Sequence, residues 1–276
     1  MRNDQLSLQG FKTVAACSQL QPFIDNFWTI KRTAPFLDTS HLLHSDCASG
    51  MIFNFSDQIE INDIALKNAG YICTSFIKSQ QLKLAGNINT LGIRFKPAAT
   101  RLFTNVHAKD TKELITTDIN YTLTSQLYEQ LAQSSNFVHQ VRFLELFFLN
   151  SINQDNHNLN SLEQTLSQRL LKIIDAHYGY ITLAELSENT GLHTKKIERI
   201  FSQYIGINFR QSCQITKSKH AMNTIKSQPT KPLSEIAVDL NYFDQAHFTK
   251  QFKAVIGVTP ARYHNQKHGQ LSVTKK

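Results

Sequence analysis

Cysteine is scarce in this chain and scattered along it. Cys17, Cys47, Cys73 and Cys213 are the whole complement, and no two stand at a C-x-x-C spacing. The sequence therefore suggests neither the close thiolate set of a zinc ribbon nor a thioredoxin-like dithiol, although it leaves a bridge between distant cysteines open. Long apolar runs are also missing. The longest, Phe143-Leu-Glu-Leu-Phe-Phe-Leu149, carries a glutamate and falls well short of the roughly 20 apolar residues a membrane span needs. The amino terminus, MRNDQLSLQG, has no apolar signal core, so a cytoplasmic chain with reduced thiols is expected. Acidic residues run short in one half only. Residues 168–276 hold 16 Lys+Arg against 7 Asp+Glu, whereas residues 1–167 hold 13 against 14. The net charge of +8 thus belongs entirely to the carboxy-terminal part, and a basic domain beside a neutral one points to a polyanionic partner.

A chain of 276 residues that is 41% hydrophobic is long enough for two cores. The expected class is α+β: a β-rich sandwich or barrel-like domain with helices, followed by an all-α domain. The expected boundaries are 1–150 for the front domain, 151–165 for a linker, 166–268 for the helical domain and 269–276 for a tail. Short β-prone stretches such as Asn26-Phe-Trp-Thr-Ile30, Met51-Ile-Phe-Asn-Phe55, Tyr71–Ile77 and Leu91-Gly-Ile-Arg-Phe95 fill the front, punctuated by Asn, Asp, Gly and Ser. Pro97 stops the last strand and suits the first turn of a helix. Further helices are expected near Tyr121–Gln133 and Phe137–Leu149. The Asn-rich stretch 150–160 is the linker candidate.

The last hundred residues contain one unit twice. Leu183-Ala-Glu-Leu186 matches Leu233-Ser-Glu-Ile236 at an offset of 50, and Arg199–Ile207 matches Lys250–Val258 at an offset of 51. Each copy has the pattern of a helix-turn-helix. In the first, Thr182 and Glu185 have capping-box spacing, Gly191 supplies the turn, and a second helix over Thr194–Tyr204 buries Ile197, Ile200, Phe201 and Tyr204. In the second, Pro232 opens a helix through Leu240, Asn241-Tyr242 turns, and Asp244 caps a helix to Ile256 that buries Phe248, Phe252, Val255 and Ile256. Gly206 and Gly257 end the two second helices. A final helix runs from Pro260 through about His264. Between the copies, Phe209–Gln228 reads as one helix of roughly 30 Å, close to the ~34 Å between successive major-groove faces.

The outward faces carry groups suited to DNA. Lys195, Glu198 and Arg199 in the first unit, and Gln245, His247, Thr249 and Lys250 in the second, are base-contact candidates. Arg199 can fork onto guanine, Gln245 can pair with adenine and Glu198 can accept from cytosine. Thr194, Lys196, Lys217, Lys219 and Lys253 are phosphate-contact candidates, which position the protein without specifying sequence.

The segment Ile236–Tyr263, with Phe248, Phe252, Lys253, Gly257, Pro260 and Tyr263 at signature positions, resembles the AraC/XylS family of bacterial transcription regulators across residues 166–268. The resemblance implies a seven-helix DNA-binding domain and a regulator that is most often an activator. It implies base contacts from the same seven residues. Duplex DNA is then the main partner, with RNA polymerase, a small-molecule effector and a second copy of the chain as further candidates. No cofactor or metal is expected. The chain departs from the family at Asn241-Tyr242, where Gly-Phe is usual, and at Lys250, where Arg is usual and offers a bidentate fork. In the Ile215–Ala221 helix, lysines stand where arginine is common. The front domain resembles, more loosely, the uncharacterised β-rich amino-terminal domains of part of this family.

Two other readings stay open: an enzyme, and a structural or interaction protein whose basic half meets an acidic partner. His41, His44, Asp46 and Cys47 cluster in sequence and suit a metal-dependent or nucleophilic enzyme fused to a DNA-targeting module. An alkyl-transfer repair protein would need closely spaced cysteines that this chain lacks.

Overall fold

Alternation of buried and half-buried residues along the front strands gives one sheet with two covered faces. The computed structural model describes residues 10–33, 39–56, 59–104, 115–116, 122–154 and 162–273. The larger sheet has six antiparallel strands in the order β1 (Phe11–Ala15), β2 (Ile24–Arg32), β9 (Ile88–Phe95), β4 (Ser49–Asn54), β7 (Ala69–Cys73) and β10 (Ile115–Thr116). The smaller runs β3 (Thr39–Leu43), β8 (Gln80–Leu84), β5 (Ile59–Ile61) and β6 (Ile64–Ala65). Because successive strand residues point to opposite faces, Trp28, Ile30, Tyr71 and Ile88 meet Ile59, Ile61, Leu82 and Leu84 between the sheets. From the other face Phe27, Met51, Phe53, Ile72 and Phe95 meet Leu127 and Leu131 of α2 (Thr122–Ala132) and Leu144 and Phe148 of α3 (Phe137–Gln154). The result is three layers. Gly92 is required where β9 crosses Trp28: a Cβ there would lie 2.0 Å from the indole.

The α+β expectation holds, with small shifts of boundary. The helix after Pro97 starts only at α1 (Thr100–Thr104), since Ala98 takes a left-handed φ of 68°. Helices enter the expected linker, 151–165, from both sides: α3 continues to Gln154 and α4 (Leu162–Ala176) begins at Leu162. Apolar residues continue that helix: Ile152 packs against the front core. The rest of the Asn-rich stretch, 155–161, lies outside the described residues, as does Tyr121.

The helical part follows as α4, α5 (Leu183–Thr190), α6 (Thr194–Ile200), α7 (Phe209–Ser227), α8 (Leu233–Asp239), α9 (Gln245–Ile256) and α10 (Pro260–Val273). Seven helices result, and the last runs nine residues past His264 into the expected tail. They share one apolar core, to which both repeat copies contribute. The capping box at Thr182 forms as its spacing predicts: its hydroxyl accepts from Glu185 N, and the Glu185 carboxylate accepts from Thr182 N at 2.7 Å. Gly206 and Gly257, both at φ 86°, end the second helix of each unit in the left-handed conformation. One difference concerns α6. Beyond Ile200 it widens into a π-helical turn over Phe201–Ile205, which keeps Phe201 and Ile205 in the core.

Candidate nucleic-acid interface

The long helix between the repeats is the spine of the arrangement. Asn208 caps α7 through a second capping box with Gln211, and Ser212, Cys213, Ile215, Ser218, Ala221, Met222 and Ile225 are buried along it. It packs against α4, α8, α9 and α10. The two units are also tied directly, since the Tyr180 hydroxyl donates to the Leu240 carbonyl at the turn of the second unit. Over 19 residues α7 spans about 28 Å, close to one turn of duplex.

On this frame α6 and α9 divide alike. Ile197 and Ile200 are buried in α6, while Lys195, Glu198 and Arg199 are exposed. Phe248, Phe252, Val255 and Ile256 are buried in α9, while Gln245, His247, Lys250 and Lys253 are exposed. Thr249 is half-buried, as are Thr194 and Lys196. His193 Nδ1 accepts from Lys195 N at 3.3 Å, and Asp244 accepts from His247 N at 2.6 Å, so each helix starts capped. Tyr204, expected inward, is half-buried within the π-helical turn.

Two lysines sit differently from the rest. Lys217 Nζ lies 4.2 Å from the centre of the Tyr180 ring, and burial lowers its pKa. Lys219 Nζ pairs with Asp175 at 2.8 Å and lines a cleft shared with Lys96 and Pro97 of the front domain. Both ammonium groups already have partners inside the molecule.

Three features of the interface were not foreseen from sequence. Gln251 Nε2 stands 2.6 Å from His247 Nε2 and fixes that ring; the i, i+4 spacing is the signal that would have found it. Phe243, in the turn before α9, is 92% exposed; an apolar residue in a polar turn was the available signal. Third, the front domain touches α9. The Ser79 amide donates to the Val255 carbonyl at 2.7 Å and its hydroxyl to the same oxygen at 3.1 Å. Val255 O is one of the last carbonyls of α9, which have no partner within the helix, so the front domain caps the end of α9. With its hydrogen directed to Val255, the Ser79 hydroxyl accepts from His44 Nδ1 at 2.8 Å, which assigns the Nδ1–H tautomer. The His44 ring also meets Tyr263 of α10 edge-on at 6.2 Å. Burial, reinforced by Lys267, lowers the His44 pKa to about 4.

Within His41–Cys47, packing and hydrogen bonds hold His44, Asp46 and Cys47, whereas His41 Nε2 is buried with no hydrogen-bond partner among the described residues. Asp46 pairs with Arg94, whose pKa burial lowers to about 10. Cys47 is buried in the core of the helical domain, where burial and then Asp46 push its thiol up to about 12. A thiol held protonated is a poor nucleophile. No group of three His, Cys, Asp or Glu side chains is arranged to hold a metal ion among the described residues. Between the two sheets lies a mostly apolar cavity of about 80 Å³, lined by Trp28, Leu43, Met51 and Phe76 with His44 and the Asp46–Arg94 pair. No described helix is long and apolar enough to cross a membrane.

Comparison with known proteins matches both parts. Residues 186–266 match the family model of a helix-turn-helix domain, and residues 12–116 match a domain of unknown function, DUF6597. An uncharacterised HTH-type transcriptional regulator of Staphylococcus aureus (strain COL) is 22% identical over 269 residues, covering 95% of this chain and 34% of that protein. YtdP of Bacillus subtilis (strain 168), described in the same words, is 23% identical over 144 residues, covering 51% and 18%. The chain spans about a third of the length of the Staphylococcus relatives it matches. Among solved structures, ToxT from Vibrio cholerae is similar at 12% identity and a TM-score of 0.46, over 93% of this chain and 98% of that one. The carboxy-terminal domain of AraT, a response regulator from Geobacillus stearothermophilus, is 26% identical with a TM-score of 0.33, over 36% and 83%.

Proposed function

We propose that this chain, whose residues 186–266 match a helix-turn-helix domain, is a cytoplasmic, sequence-specific transcriptional regulator of AraC type, acting as an activator, that reads two successive major grooves with α6 and α9. One observation carries the reading: two capped helices, each with an apolar inner face and a polar outer face, fixed on one spine of about one duplex turn. Base contacts fall to Lys195, Glu198 and Arg199 on one helix and to Gln245, His247, Thr249 and Lys250 on the other. Phosphate contacts fall to Thr194, Lys196 and Lys253. Lys217 and Lys219 are the weaker members of that set, because leaving Tyr180 and Asp175 would cost them existing interactions.

The front domain serves regulation. The cavity between its sheets is the place for a small-molecule effector, and His44, which lines it, is one hydrogen bond from Ser79 and two from the end of α9. RNA polymerase and a second copy of the chain are the protein partners this role needs.

Selection of bound sequences from random duplex DNA with the full chain tests the reading. The expected site is about 20 base pairs long, with two preferred blocks about one helical turn apart. Equal affinity for every duplex would overturn it.

A further inference from the structure

Among the described residues Phe243 is the most exposed large hydrophobic residue, at 92%, and it stands immediately before Asp244, the cap of α9. Its neighbours hold it there. Tyr242 is buried with its ring 5.0 Å from that of Phe248. The Tyr242 amide donates to Ala237 O at 3.0 Å, and Asn241, at φ 52°, donates to Val238 O at 2.9 Å. The turn is therefore pinned on the Tyr242 side, and Phe243 is held out on the other. Scattered apolar residues on a surface are ordinary. A fully presented aromatic ring on a rigid turn, at the end of a helix that enters a groove N-terminus first, is a narrower circumstance.

A phenyl ring has no donor or acceptor, so the hydrogen-bond pattern of a base edge is invisible to it. The one apolar group a B-DNA major groove displays is the C5-methyl of thymine. We propose that Phe243 is a specificity-determining residue that selects thymine at one position of the half-site read by α9, by packing against that methyl. This rests on the regulator reading and names a chemical part of its operator. Gln245 and His247, exposed on the first turn of the same helix, supply the polar contacts beside it.

The test uses the full chain and two variants, Phe243→Ala and Phe243→Leu. Both replace an exposed side chain, so folding is expected to be retained. Each protein selects sites from random duplex DNA, and the wild-type site is then scanned by replacing each thymine with uracil, which deletes only the methyl. The expected result is one thymine preference kept by wild type and Phe243→Leu and lost in Phe243→Ala. Uracil at that position weakens wild-type binding about four-fold, the weight of one buried methyl group, and leaves Phe243→Ala unaffected. Identical profiles for all three proteins would overturn the proposal, as would a loss in Phe243→Ala that is uniform over all sequences. So would an unchanged DNA profile with lost transcription activation, which would place the ring on a protein partner. Failure of the wild type to select any site would instead sink the regulator reading beneath it.

Discussion

On the proposed reading single side chains carry the readout, and their expected roles separate by what they already touch. Arg199 is exposed on α6, which leaves its guanidinium free to form a fork with a guanine edge. Arg199→Ala is expected to relax preference at one base pair and to weaken specific binding by about 1–3 kcal/mol without lowering the melting temperature, as site selection and calorimetry would measure. Thr182 has the opposite profile. Its hydroxyl is engaged with Glu185 in the capping box, so Thr182→Ala should cost about 1 kcal/mol of stability in denaturant melts and leave base preference alone. His44 links residue chemistry to pH. Its folded pKa lies below the ordinary histidine value, at about 4, so the unfolded chain binds the extra proton first as pH falls. The stability it contributes is full above about 6.5 and is lost as pH drops toward 4. Melting midpoints between those limits should fall with acid, and His44→Gln should flatten that dependence. Which residues of α6 and α9 face outward is legible because helical spacing separates inner from outer residues. The Ser79 contact is not, since its partner, 176 positions away in sequence, leaves no trace in local pattern.

At the level of elements, the repeat made the helical half readable. Copies that share apolar spacing, caps and terminal glycines predict α5, α6, α8 and α9 nearly to the residue. The π-helical turn after Ile200 escaped, because one extra residue per turn changes hydrogen bonding without disturbing which side chains are apolar. The front strands were visible as β-prone stretches, yet their order was not: β2 pairs with β9 and β4 pairs with both β9 and β7, and pairing between distant segments depends on which faces must be covered. Trp28 over Gly92 makes one such pairing testable. Gly92→Ala would drive a methyl into the Trp28 indole, and a loss of at least about 1–3 kcal/mol or insoluble protein is expected from overpacking. Phe252, fully buried in α9, should cost about 3–5 kcal/mol when cut to alanine, and since the core is shared, both recognition helices should lose DNA binding together.

For the whole molecule, charge is unevenly placed and this has a measurable result. On the proposed reading, the positive excess of residues 168–276 is expected to make DNA binding fall steeply with salt, with a slope set by the number of phosphates neutralised. Lys253→Ala should reduce that slope by about one, whereas Lys219→Ala, which removes a pair with Asp175, should leave it nearly unchanged. The two parts of the chain do not behave as beads on a string. Cys47 and Ile77 of the front domain pack into the core of the helical one, and the Ser79 hydrogen bonds finish the last turn of α9. A recognition helix terminated by a loop from another domain has its final carbonyls answered only while that loop is in place. Genetic screens for altered promoter response should therefore return substitutions around Thr74–Ser79 that never approach the double helix, and they should depend on operators contacted through α9 more than on those dominated by α6.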